Sequence, residues 1–214
     1  MLSHVAEQLR AAGVRDVVIN LHHLADVVRE RVIREGSFGL NVEFSLEREL
    51  LGTGGGVRKV KSFFGNEKSF IVLNADIYSE YSLVDLTAAH EKSGALATLL
   101  TMRREDSSYL LFDSEDVLKG YEIVGQRAQR VDGGEGMQGL FQSAFCGVQV
   151  LSPQIFSYME GFPEEFSIID AYLKAARDGK KLVRRDIGSD FWIDMGTPER
   201  LEVLRSRIAT AIGK

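Results

Sequence analysis

The chain is expected to form an α/β fold, a mostly parallel mixed sheet flanked by helices, and three observations predict it. Helix-period and strand-period segments alternate from the first residues onward. The runs "FIVLNAD" (Phe70–Asp76) and "ALATLLTM" (Ala95–Met102) are almost unbroken in apolar side chains, as in strands covered by helices on both faces. Finally, 214 residues with 44% hydrophobic and 27% charged side chains suit one domain with a sizeable core, read here as a single domain over residues 1–214.

Taken in order, Leu2, Val5, Leu9 and Ala12 fall at helical spacing and Gly13 stops that helix. "VVIN" (Val17–Asn20) is a short strand. Leu24, Val27, Val28 and Val32 mark the inward face of a second helix, and "VEFSL" (Val42–Leu46) is the next strand. The glycine run of "LLGTGGGVRK" then opens a helix with Val57 and Val60 inward. After the strand Phe70–Asp76 come a helix over Leu83–Lys92 and the strand Ala95–Met102. Short strands follow at Tyr109–Phe112, Tyr121–Val124 and Phe141–Leu151, an elaboration on the sheet's edge, interrupted by a polar, glycine-rich loop over Gln126–Gly139. Helices are expected at Pro153–Met159 and Ser167–Arg177, and "KLVRRDI" and "FWIDM" read as short strands. Thr197 as N-cap with Pro198 at the first helical position starts the last helix.

Composition excludes several classes. A net charge of -5 argues against general nucleic-acid binding. One cysteine, Cys146, permits no intrachain disulfide and points to a reducing compartment, the cytoplasm. No run of about 18 apolar residues exists to span a membrane, and "MLSHVAEQLRAAG" has no basic stretch leading into a long apolar one, so no secretory signal is expected.

Three stretches stand out as chemistry. "LGTGGGV" is neither a Walker loop, for it lacks the following Lys-Ser/Thr, nor G-x-G-x-x-G, because the sixth position from Gly52 is Val57. At a strand-to-helix junction it is either a structural turn or backbone bared for a ligand. In "VLNADIY", Asp76 ends an apolar strand, where open α/β sheets bind ligands; turn capping is the alternative. In "FWIDMGTPERL", Asp194 has the same setting. Two such carboxylates from one sheet suit Mg²⁺, which takes one or two carboxylates plus substrate phosphates. His22 and His23 are weaker candidates, no Cys/His zinc spacing is present, and no G-x-S-x-G elbow supports serine hydrolysis.

Together with "GVRDVVINLHH", "FCGVQVLSP" and "FSIIDAYL", these motifs span nearly the whole chain. In that order they resemble the sugar-nucleotide pyrophosphorylase family of nucleotidyltransferases, in particular bacterial mannose-1-phosphate guanylyltransferases and N-acetylmuramate-1-phosphate uridylyltransferases. The resemblance implies a Rossmann-like fold and transfer of a nucleotidyl group from a nucleoside triphosphate to a sugar 1-phosphate, with release of pyrophosphate. It implies that Gly52, Thr53 and Gly54 meet the nucleotide, that Asn74 and Gly147 line the sugar site, and that Asp76 and Asp194 hold Mg²⁺. A loop at Gly52 would then tolerate Gly52→Val with little loss of fold but weaker nucleotide binding. The family's opening strand with G-x-G-T/S-R, and its Pro-Lys pair, has no match here, so the family's Arg and Lys are absent from residues 1–214 and that first strand is expected to be missing. Nor does Tyr121–Gly139 match the Glu-Lys pair of many members. The alternatives are a catalytically inactive relative acting as a regulatory or nucleotide-sugar-binding subunit, and an unrelated α/β module that binds a nucleotide without turnover. Homo-oligomers are compatible with each reading.

Overall fold

The computed structural model describes residues 2–65, 67–126, 128–134 and 136–212. Its elements run α1 (Leu2–Ala11), β1 (Asp16–Leu21), α2 (Ala25–Arg34), β2 (Asn41–Leu46), α3 (Gly52–Lys59), β3 (Phe70–Leu73), β4 (Ile77–Ser79), α4 (Leu83–Ser93), β5 (Ala97–Met102) and β6 (Ser108–Phe112). There follow β7 (Leu118–Ile123), β8 (Gln129–Arg130), β9 (Phe141–Leu151), α5 (Ile155–Tyr158), α6 (Ile168–Arg177), β10 (Leu182–Asp186), β11 (Trp192–Asp194) and α7 (Pro198–Ile212). Local chemistry sets the helix ends. Ser82 caps α4 by accepting from the Asp85 amide at 3.2 Å, and Gly94 closes it in the left-handed region at φ +60°. Ser167 and Asp170 form a capping box at the start of α6.

The long strand β9 organises the main sheet, whose order is β10-β5-β9-β6-β7-β8. One side of β9 pairs with β5. The other pairs with β6 through Phe141–Ser143 and with β3 through Val148–Leu151. Strands β3, β5 and β10 share one direction, antiparallel to β9. Period-2 alternation divides the core between the two faces. Phe70, Ala97, Leu99 and Leu151 pack with α5 and α6, while Leu100, Val148 and Val150 pack with Val5 and Leu9 of α1 and Leu86 of α4. Buried Gln149 is satisfied by the hydroxyl of Tyr172, and buried His90 by Thr98 and Ser152. Burial drives the His90 pKa down, which keeps this ring neutral and structural. Among the described residues no helix is long and apolar enough to cross a membrane.

Two smaller sheets stand apart from the main one. β1 and β2 pair in parallel, and β4 and β11 form an antiparallel ribbon. β1 reaches the main sheet through packing: Val17 joins Ile71 and Leu73 of β3 on the cluster beneath α1, yet among the described residues β1 pairs with β2 alone and β3 with β9 alone.

Four expectations change. Phe70 is buried, but Ile71, Val72 and Leu73 are only half-buried, because β3 has a neighbour on one side. On α2 only Val32 is buried; Leu24 and Val27 are exposed, as nothing packs over that part of the helix. The glycines of "LGTGGGV" are not a loop but the opening turns of α3. Within Gln126–Gly139, read as loop, β8 pairs with β7; Arg127 and Glu135 lie outside the described residues.

Candidate functional site

The glycine run is explained by packing against a segment more than a hundred positions away in sequence. The Phe166 amide donates to the Leu51 carbonyl at 3.1 Å, the Gly54 amide donates to the Phe166 carbonyl at 2.9 Å, and Thr53 Oγ1 accepts from the Ile168 amide at 3.0 Å. A Cβ on Gly52 would stand 2.6 Å from the Phe166 carbonyl oxygen, and Gly52 has φ +68°. Gly52→Val therefore cannot spare the fold, contrary to the loop reading: it strains the backbone and separates α3 from this segment. Of the two readings left open by the sequence, the structural one accounts for every glycine here. Thr53 keeps an exposed side chain at the junction, whereas the Gly54 amide is already committed.

Asn74 and Gly147 meet directly. The Asn74 amide donates to the Gly147 carbonyl at 2.9 Å, where β9 bulges between its pairings with Leu99 and Thr101 of β5. Gly147 takes φ +70°, and a Cβ there would lie 2.2 Å from Ile77 Cδ1 and 2.9 Å from Asn74 Nδ2. Gly147→Ala is expected to destabilise the chain by about 1–3 kcal/mol, read as an earlier urea midpoint. A wild-type midpoint would show that the bulge needs no glycine.

Asp76 and Asp194 come together through the β4–β11 ribbon. Asp76 lies in the turn between β3 and β4, and its carbonyl accepts from the Met195 amide at 2.9 Å; across the ribbon Asp194 pairs with Ile77. Asp76 is exposed and Asp194 half-buried. Burial alone would raise the Asp194 pKa. The Gly196 amide at 3.2 Å and an ion pair with Arg200 outweigh it, and the field of Arg104 adds to them, so the carboxyl sits below its usual value and is ionised at neutral pH. A pair of hard oxygen donors suits Mg²⁺ better than a soft metal. Among the described residues no cluster of three or more His, Cys, Asp or Glu side chains forms a ready metal cage. The sequence thus marked four positions, Asn74, Asp76, Gly147 and Asp194, that the fold gathers on neighbouring backbone. Gly52, Thr53 and Gly54 belong to the separate junction of α3 with α6.

Two residues escaped the sequence reading. Glu47 is 3% exposed, accepts from Asn20 Nδ2 at 2.6 Å and from the Leu51 amide at 3.1 Å, and so fastens β1 and β2 to the start of α3. Its signal was an acid directly after an apolar strand and just ahead of a helix start, where a carboxylate meets unpaired amides. His22 also points to this corner, its Nδ1 3.1 Å from the Glu47 carbonyl, which is a structural contact. Arg104, in the charged turn "RRED", had no pattern to single it out.

Fold and site define a class: an α/β protein with two aspartates on neighbouring backbone beyond its strands, the region where open sheets hold their ligands. More narrowly, the chain belongs to the nucleotidyl transferase family, whose profile matches residues 1–112. It is 28% identical over 208 residues to a mannose-1-phosphate guanyltransferase of Schizosaccharomyces pombe, a match covering 93% of this chain and 53% of that protein. A protein of the same name from Aspergillus fumigatus is 28% identical over 211 residues, again 93% and 53%. The chain therefore spans about half the length of these curated relatives. Among solved structures, HddC from Yersinia pseudotuberculosis aligns with TM-score 0.71 at 22% identity over 97% of this chain and 84% of its own. A putative glucose-1-phosphate thymidylyltransferase from Bacillus anthracis gives 0.73 at 18% over 94% and 79%. At such identities the likeness is one of fold, and it bears out the α/β class.

Proposed function

We propose that this chain transfers a nucleoside monophosphate from a nucleoside triphosphate to a sugar 1-phosphate, forming a nucleoside diphosphate sugar and releasing pyrophosphate. The observation that carries it is the meeting of Asp76 and Asp194 across the β4–β11 ribbon, beside the Asn74–Gly147 contact. The names of the relatives, guanyltransferases among them, support the same reaction class. In this reading the work lies in the cytoplasm and feeds the building of cell-envelope polysaccharide.

A phosphate oxygen of the sugar 1-phosphate attacks the α-phosphorus; one P–O bond forms as the bond to the β-phosphate oxygen breaks, and pyrophosphate leaves. Two anions must meet, so positioning and charge neutralisation supply most of the rate. Mg²⁺, when bound, supplies that neutralisation and aligns the phosphates. Asp76 and Asp194 would hold it, Asp194 being kept ionised by the Gly196 amide and Arg200. Thr53, exposed beside Gly52, meets the base, while buried Gly54 serves by letting α3 sit against Phe166. Gly147, with its carbonyl on the Asn74 amide, sets where Asn74 stands, and Asn74 offers the sugar its side-chain amide.

The test is a pyrophosphate-release screen of nucleoside triphosphates against sugar 1-phosphates, run with a chain that carries its upstream residues. On the pair that reacts, Asp194→Asn and Asp76→Asn should each lower turnover by about 100-fold or more, the loss of a charge-neutralising group worth several kcal/mol. Full activity in either variant would remove that residue from the metal site.

A further inference from the structure

Between the stretch of β9 paired with β6 and the stretch paired with β3, no strand among the described residues covers that side of β9. In this gap three successive carbonyls take donors from three other parts of the chain. Phe145 O accepts from Arg104 Nη2 at 3.1 Å, Cys146 O from Trp192 Nε1 at 2.9 Å, and Gly147 O from the Asn74 amide at 2.9 Å. The β4–β11 ribbon, which is not part of the main sheet, is thereby fixed against the bulge. Arg104 does more than fill one carbonyl. Its guanidinium lies over the Trp192 ring, 4.0 Å from the centroid, and Asp106 orients it through a 2.5 Å ion pair. Its Nε is buried and has no partner among the described residues. The planar guanidinium stays on the indole face, a cation–π contact. Trp192 and Asp194 are two positions apart on β11 and so share one face of the strand.

We propose that Arg104 is a positioning residue for Asp194: by clamping Trp192 against the β9 bulge it sets where the β11 carboxylate stands relative to Asp76 and Gly147. The proposal rests on the reading of Asp194 as a metal ligand and adds to it the residue that holds that ligand in place. Groups that orient metal ligands from behind typically govern affinity by about 10–100-fold when removed.

Trp192 is the single tryptophan of the chain, so its fluorescence reports on this clamp without a label. The experiment compares the wild-type chain with Arg104→Met and Arg104→Lys, first without metal and then in a MgCl₂ titration. In Arg104→Met, acrylamide should quench Trp192 about twofold more strongly, and the apparent Mg²⁺ dissociation constant should rise about tenfold. Arg104→Lys keeps the charge but not the planar fork, and should behave like the methionine variant; it also serves if that variant does not fold. Unchanged quenching in folded variants overturns the clamp. Looser Trp192 with unchanged Mg²⁺ affinity overturns the positioning role. A wild-type chain that shows no response to Mg²⁺ overturns the metal reading of Asp76 and Asp194 instead, and the metal-free quenching still decides the clamp.

Discussion

A Gly55→Val chain is expected to be largely unfolded, although valine is a better helix residue than glycine by intrinsic propensity. A Cβ at Gly55 would stand 2.2 Å from the Glu164 carbonyl oxygen and 2.9 Å from Leu51 Cβ. Neither neighbour is the end of a flexible side chain. The segment around Glu164 is held by the Phe166–Leu51 and Gly54–Phe166 backbone bonds and by Thr53. Arg58 adds two more ties, donating to the Phe162 and Pro163 carbonyls at 2.8 and 2.6 Å. To admit the side chain, α3 must part from that segment and break several bonds worth about 1 kcal/mol each, on top of about 1–3 kcal/mol of overpacking. That sum is comparable with the whole stability of a typical domain, about 5–15 kcal/mol. Gly179→Asn is the matched control. Gly179 has φ +74° with nothing within 4 Å of its Cβ position, and asparagine tolerates the left-handed region. Circular dichroism in a urea series should show Gly55→Val without a native baseline and Gly179→Asn within about 1 kcal/mol of wild type. A Gly55→Val chain with the wild-type midpoint would mean that α3 does not pack where it is described.

That glycine run also shows where sequence reading stops. The alternation of periods placed nearly every long element, because 3.6 and 2.0 are local signals and burial imposes them residue by residue. That Asp76 and Asp194 should lie near one another was legible because strand ends converge in an open sheet, whereas Asn74 and Gly147 were chosen on the family resemblance. The reason for the glycines was not legible: Gly52, Gly54 and Gly55 face Phe166 and Glu164, and Gly56 faces Glu47 and Asn20, none of which the local pattern can see. β11 was read from "FWIDM", but the three-residue β4 carries too short a period to register, so the ribbon they form was missed even though both aspartates were chosen. Arg104 was invisible for the opposite reason: charged turns are usually solvated, and only the gap in β9 makes this one a contact.

Adding a strand's worth of upstream sequence should turn a weakly folded, inactive chain into a stable and active one. The argument begins with two edges that do not look like edges. β1 offers Val17, Val18 and Ile19, and β3 offers Phe70, Ile71, Val72 and Leu73, yet among the described residues each pairs on one side only. Natural edge strands are protected by charges, prolines or bulges, and neither run contains any of these. Unbroken apolar runs of this kind belong to strands with neighbours on both sides and helices on both faces. Val17, Ile71 and Leu73 already rest on one cluster beneath α1, so a single parallel strand between β1 and β3 would join the two sheets and cover what is now half-exposed. Each backbone group it pairs removes a penalty of about 1–3 kcal/mol wherever that group would otherwise be buried without a partner. A strand of the kind the family resemblance leads to expect would fit there. Residues 1–214 and an upstream-extended chain should therefore be expressed side by side. The extended chain should be monodisperse, melt well above the shorter one and release pyrophosphate, while the shorter one aggregates and shows little or no turnover. A shorter chain that is soluble, monodisperse and equally active would show that β1 and β3 need no third strand between them.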